Sequence, residues 1–222
     1  MNYVISIVNP EALDVLTDIC ARLELPMTVT LHGRGTAVQS MLDLLGIESS
    51  EKRVVLSVAT AEKTKKLIAE QRRYLHLGVP GHGMVIAVPI KSVGGGKTLA
   101  YLSGDDKGMK RVAPELGAYE VIVAITNSGC TDAVMNAARA AGARGGTVLH
   151  GKGTGSKDAP KFYNISIADE KEVVLIVASA HEKSGIMSAI LEKAGPDSPS
   201  GTIVFSLPTT EVAGFGLFDE AE

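Results

Sequence analysis

The chain has 222 residues, 45% of them apolar and 21% charged, with a formal net charge of -3. This is the balance of folded globular proteins, not of disordered chains, and it lacks the positive excess that sequence-independent nucleic-acid binding requires. No apolar run nears the roughly 20 residues that cross a bilayer, and the N-terminus enters a strand-like run without a signal-peptide pattern, so a cytoplasmic protein with no membrane insertion is expected.

Tyr3 to Val8 is an apolar run that ends at Asn9-Pro10, and proline in the first helical turn suits a helix start. Leu13, Leu16, Ile19, Cys20 and Leu23 then recur at three-and-four spacing, the stripe of an amphipathic helix. Met27 to Leu31 reads as a second strand, and Val38 to Leu45 as a short helix in the loop that follows. Arg53 to Ala59 predicts a third strand, Ala61 to Leu77 a second helix and Met84 to Val88 a fourth strand. The order βαββαβ is that of the split ferredoxin-like unit.

The same blocks return half a chain later. Met27-Thr-Val-Thr-Leu-His-Gly-Arg-Gly35 answers to Gly145-Gly-Thr-Val-Leu-His-Gly-Lys-Gly153, Glu51 to Ala59 to Glu170 to Ala178, and Gly83 to Pro89 to Gly201 to Pro208. Matched blocks in constant order are the mark of a tandem duplication. The expected fold class is therefore α+β, with two tandem ferredoxin-like domains at 1–103 and 118–222 and a Gly/Asp/Lys-rich linker at 104–117. The second copy predicts strands at Glu120 to Ile125, Thr147 to His150, Glu172 to Ala178 and Thr202 to Leu207, with helices at Thr131 to Ala141 and His181 to Ala194. Thr154 to Asp169, polar and without helical period, reads as a loop. Val121 to Ile125 and Val173 to Ala178 are apolar at successive positions, so both faces of their sheet need cover, from the sister half or from a neighbouring subunit.

Few motifs carry chemistry. Gly94-Gly-Gly-Lys-Thr98 ends like a phosphate-cradling P-loop, but the glycine required five residues before Gly96 is Lys91, so a flexible turn is the better reading. Gly33-Arg34-Gly35 and Gly151-Lys152-Gly153 each set a cation between glycines just after a strand, a pattern that suits an anion if the backbone N–H groups turn outward. Gly78-Val-Pro-Gly-His-Gly83 is a glycine-dense loop where a ligand can approach backbone, and Gly195 to Gly201 is its stiffer counterpart. His32, His82 and His150 have no metal-ligand spacing around them, and the serines, histidines and acids form no catalytic arrangement, so no metal and no catalytic residue is expected. Cys20 and Cys130 fall at non-equivalent positions and read as free thiols on helices.

Ile7-Val-Asn-Pro10 with Leu13-Asp14, Met27-Thr-Val-Thr30 before Gly33-Arg-Gly35, and Gly81-His-Gly83 before Val85-Ile-Ala resemble, in that order, the PII nitrogen-regulatory signal proteins, and the second copy repeats the pattern less closely. The resemblance implies a homotrimeric, cytoplasmic, non-enzymatic regulator in signal transduction that binds an adenine nucleotide (ATP or ADP), often with 2-oxoglutarate, in clefts between units, while a long loop touches a regulated protein. It places the ligand-binding residues at Thr28, Gly33, Arg34, Gly35, Gly81 and Gly83 in the first copy and at Thr147, Gly151, Lys152, Gly153 and Gly201 in the second. The family's glycine-loop lysine and C-terminal arginines are absent from both copies, which removes charge-assisted contacts of about 1.5–3 kcal/mol each to a nucleotide. A trimeric metal-binding or metal-tolerance protein of the same fold is the alternative.

Overall fold

The computed structural model describes residues 1–36, 50–77, 79, 81–90, 101–102, 115–152, 161–162, 165–166 and 170–214. The expected helix at Val38 to Leu45, the Gly94-to-Thr98 turn, Gly153 and most of the linker lie outside these residues. The protein is α+β, with antiparallel sheet and, among the described residues, four α-helices of at least ten residues. By contact, the chain divides into two compact units: Met1–His32 with Gln39–Tyr119 and Pro208–Glu222, and Gly33–Val38 with Glu120–Leu207.

In the first unit β1 (Asn2–Val8) is followed by a 3-10 turn (Pro10–Ala12) and α1 (Leu13–Arg22). The predicted stripe is the buried one, since Leu16, Ile19 and Cys20 are the buried residues of α1. β2 (Thr28–Gly35), β3 (Glu51–Ala59), α2 (Ala61–Leu75) and β4 (Gly83–Pro89) complete the unit, and a late segment, β11 (Glu211–Ala213), is added at its edge. Thr60 caps α2, its hydroxyl accepting from the Lys63 N–H at 3.3 Å. At the other end His76 takes a left-handed conformation (φ 52°), which ends the helix two residues before the sequence expectation. The strand order is β2-β3-β1-β4-β11, with β1 central and antiparallel to both β3 and β4. Val4, Val8, Val55, Val85 and Ala87 form a core with Leu16, Ile19 and Leu67 from the helices.

The second unit repeats this plan. β5 (Tyr119–Asn127), α3 (Thr131–Ala140), β6 (Thr147–Lys152), β9 (Glu170–Ser179), α4 (Lys183–Ala194) and β10 (Ile203–Pro208) give the order β10-β5-β9-β6. In each unit the sheet thus runs fourth, first, third, second by order in its half. Ile122, Ala124, Val148, Val174 and Ile176 pack on Val134, Met135, Ile186 and Ile190. Within the stretch read as a loop, two two-residue strands, β7 (Lys161–Phe162) and β8 (Ile165–Ser166), pair with each other.

The faces turned away from the helices are buried too, as the continuous apolar runs require. Ile5, Ile7, Val54, Val58 and Ile86 in the first unit, and Val121, Val123, Leu175 and Val177 in the second, are all buried. Cys20 and Cys130 are free thiols, and burial pushes Cys20 up to about 11.

Candidate functional site

The glycine-flanked cations do not sit in loops. β2 runs on through Gly33, Arg34 and Gly35, and in the second unit these three pair with Leu149, Val148 and Thr147 of β6. Gly151 and Lys152 likewise lie in β6, opposite Lys171 and Glu170 of β9. The expectation of a turn with outward N–H groups is corrected for the described residues: Gly33 to Gly35 and Gly151 to Lys152 are ladder strands, because pairing with a neighbouring strand outweighs the weak strand preference of glycine. Just past β2 the second unit ties the segment down further. The Thr36 N–H donates to Gly146 O (3.0 Å), the Gly146 N–H to Thr36 Oγ1 (2.8 Å), and Arg139 donates to the Thr36 carbonyl. Arg34 is exposed, Thr28 stands exposed at the start of β2, and Thr147 is buried.

A polar constellation absent from the sequence expectation appears in both units. In the first, Lys52 at the start of β3 donates from Nζ to Asn9 Oδ1 (2.5 Å), just past β1, and to the carbonyl of Gly81 (3.1 Å). In the second, Lys171 at the start of β9 donates to Asn127 Oδ1 (2.6 Å), and Asn127 Nδ2 donates to the carbonyl of Pro199 (3.0 Å). Lys52 and Lys171, Asn9 and Asn127, and the loops at 81–83 and 199–201 occupy matching places when the two halves of the sequence are aligned on Glu51 and Glu170 and on Gly83 and Gly201. Each clamp therefore joins the end of a first strand, the start of a third strand and the loop before a fourth. Burial pulls Lys52 below its ordinary value, offset in part by the charge of Glu11. Gly81 and Gly83 have positive φ (86° and 129°), and a Cβ on Gly83 would overlap the Ile7 carbonyl. Gly201 (φ 54°) lies against the Asn127 side chain. Of the expected site residues, Gly81, Gly83 and Gly201 thus stand at the clamps, while Gly33 to Gly35 face Thr147 to Leu149 across a ladder.

Chemically, Lys52 directs two of its three N–H donors at neutral oxygens and Lys171 directs one, so among the described residues each head keeps at least one donor for an anion. The sequence held a signal for it, a lysine after a glutamate at the start of each third strand and an asparagine at the end of each first.

The second unit adds a buried carboxylate. Glu172, one residue after Lys171, accepts from the Thr131 N–H (3.2 Å) and hydroxyl (2.6 Å) at the start of α3, and His150 Nδ1 lies 3.6 Å from its other oxygen. Burial alone would raise its carboxyl, but the Thr131 hydroxyl, the Gly129 and Thr131 N–H groups and His150 together hold it below the ordinary carboxylate value. Among the described residues no group of three or more His, Cys, Asp or Glu could hold a metal ion, and no helix is long and apolar enough to cross a membrane. A groove of about 310 Å³ lies elsewhere in the first unit, between α2 (Lys65, Ile68, Arg72) and Glu211 and Val212 of β11.

Compared with known proteins, the chain is similar to the PII protein of Arabidopsis thaliana bound to citrate, at 22% identity and a TM-score of 0.31, over 41% of this chain and 75% of that one. It is also similar to an unknown protein from Galdieria sulphuraria, at 11% identity and a TM-score of 0.28, over 93% and 97% of the two chains. No family model and no curated protein sequence matches it.

Proposed function

We propose that the protein is a tandem, PII-like regulator that binds a small anionic effector at its duplicated asparagine-lysine clamps and passes that state to a partner protein. The observation that carries this reading is the recurrence of one polar constellation in both units, built on Lys52 and Asn9 and on Lys171 and Asn127. Core packing explains repeated apolar residues, but half-buried lysines held at glycine-bearing loops have no packing role that a smaller side chain could not fill. The two domains are read as copies of one design, at 1–103 and 118–222, and the assembly as a homo-oligomer with a trimer as first expectation. No catalytic role is assigned to any residue.

The effector class follows from the charge. An ammonium with at least one remaining donor suits a carboxylate or a terminal phosphate, so ATP, ADP and 2-oxoglutarate are the first ligands to try, in the setting of nitrogen regulation to which the resemblance points. Adenine nucleotides should bind weakly, for want of the family's lysine and arginines. Gly81 and Gly83 beside Lys52, and Gly201 beside Asn127, supply the close backbone approach. Arg34 and Lys152 are the outer cations of the proposal, with Thr28, Thr147 and the glycines at 33, 35, 151 and 153 as neighbours.

Calorimetric titration of these ligands into the wild type and into Lys52→Ala, Lys171→Ala, Arg34→Ala and Lys152→Ala is the test. Loss of a charge-assisted contact of about 1.5–3 kcal/mol corresponds to at least a tenfold weaker Kd for a lysine variant. A ligand bound equally well by all four variants would place the site elsewhere.

A further inference from the structure

In the first unit the sheet ends on a strand that its helices do not fully cover. Among the described residues β4 is the one neighbour of β11, with Glu211 opposite Ala87, Val212 opposite Ile86 and Ala213 opposite Val85. An antiparallel strand paired on one side leaves alternate N–H and C=O groups of its other side without ladder partners. Ala213 lies in the core of the unit, so alternation puts Glu211 on the same, helix-bearing face and Val212 on the opposite one. α2 packs Leu67, Ile68 and Leu75 into that core. Between α2 and β11 runs the groove of about 310 Å³, bordered on the helix side by Lys65, Ile68, Ala69 and Arg72. Their three-and-four spacing sets these residues on one helix face, apolar in the middle and cationic at each end.

The charge of this surface runs against that of the protein. α2 carries five lysines and arginines against two glutamates, in a chain of formal net charge -3. Both glutamates are engaged, Glu62 by Lys66 at 2.6 Å and Glu70 by Arg22 at 2.5 Å. The groove thus presents the cations Lys65 and Arg72 on its helix side and one carboxylate, Glu211, on its strand side. A small anion would use the cations but not the strand edge, and a neutral strand would use the edge but not the cations. An extended acidic segment uses both.

We infer that this groove is a docking site for an extended acidic segment of a partner protein, which adds to the outer edge of β11 as a further strand and sets its carboxylates against Lys65 and Arg72. Side chains four positions apart on a strand share a face and stand about 13 Å apart, while Lys65 and Arg72 are about 10.5 Å apart along α2, a difference that their flexible side chains take up. The position between the two acids faces Glu211 and is therefore uncharged, because like charges opposed across a ladder destabilise it. The pattern recognised is Glu-x-Thr-x-Glu, with x an apolar, β-branched residue on the face of Val212. The inference rests on the regulator reading only for there being a partner, and the groove shares no residue with either clamp.

The probe is a fluorescein-labelled, end-capped peptide Val-Glu-Val-Thr-Val-Glu-Val, titrated with the full chain by fluorescence anisotropy without effector. Binding is expected, weakened at least about tenfold in Lys65→Glu and in Arg72→Glu and unchanged in Lys66→Glu, whose lysine lies on α2 outside the groove. Methylating the peptide's backbone nitrogens at alternate residues, in each of the two phases, should abolish binding in one phase and spare it in the other, since only one edge of an added strand pairs. No binding of the peptide, equal binding of the peptide with both glutamates replaced by lysine, or indifference to both methylation phases would overturn the inference. Lys52→Ala and Lys171→Ala should bind the peptide as the wild type does. Its loss there would place the peptide at the clamps and overturn the docking site. Because no effector enters the assay, failure of the effector reading leaves these results intact.

Discussion

The two units begin their first helices by different chemistry, although the preceding strands end alike in Asn9 and Asn127. In the first, Pro10 opens the turn and brings no N–H that needs a partner. In the second, Cys130 and Thr131 open α3 without a side-chain cap of their own, and Glu172 reaches across from β9 to accept both donors of Thr131. At the position matching Glu172 the first unit has Arg53, which lies 3.8 Å from an exposed Glu51 carboxylate. One repeat thus places a buried carboxylate where the other, relieved by proline of the same need, tolerates the opposite charge. The lysine one residue earlier is common to both, which separates what the helix start demands from what the clamp demands.

The glycines offer the widest break between the units. Gly83→Ala forces a Cβ onto the Ile7 carbonyl at φ 129°, so a loss of more than about 3 kcal/mol is expected from strain and displaced backbone. Gly201→Ala meets only the Asn127 side chain at φ 54° and should cost about 1–2 kcal/mol. Urea unfolding of both variants checks the order, and equal losses would contradict it.

Next in size is the contrast between Glu172 and Arg53. Glu172→Ala leaves the Thr131 donors buried without an acceptor, a loss of about 1–3 kcal/mol, while Arg53→Ala removes a long ion pair worth about 1 kcal/mol at most. Thermal unfolding should separate them at about 2–4 °C per kcal/mol for a chain of this size. The same carboxylate sets a pH dependence. Its folded value is held below the ordinary 4.5, so its contribution is complete above that pH and is lost as the pH falls through the lower folded value. Glu120, lowered by its hydrogen bond to Lys183 and then by that to Ser206, acts with the same sign. Glu172→Gln should therefore flatten the acid limb of the stability curve only in part, and an unchanged limb would show that His150 and Thr131 do not hold the carboxylate. Thr60→Ala removes the cap of α2 and should cost about 0.5–2 kcal/mol, read from the same unfolding curves.

Much of this architecture is legible in the residues, and the failures are physical. The stripe of α1 was readable because Leu16, Ile19 and Cys20 recur at helical spacing, and the continuous runs in β5 and β9 announced burial on both faces. Gly33 to Gly35 misleads because glycine carries no side-chain pattern: it reads as a turn, yet nothing prevents it from extending a strand when β6 offers a ladder. β11 escapes a reading by periodicity, being three residues long and defined by its partner. The clamps were invisible for another reason. Lys52 and Asn9 are 43 positions apart, and only the fold brings them together. What the sequence did contain was their repetition, which becomes informative once both members of each pair are seen in contact.

The central claim is that the two clamps are equivalent anion sites. Stoichiometry from calorimetry with the tightest ligand of the set tests it most directly. The account predicts two molecules bound per wild-type chain, one in Lys52→Ala and one in Lys171→Ala, and none in the double variant, with each protein retaining its cooperative unfolding. A wild-type stoichiometry that both single variants keep would contradict it.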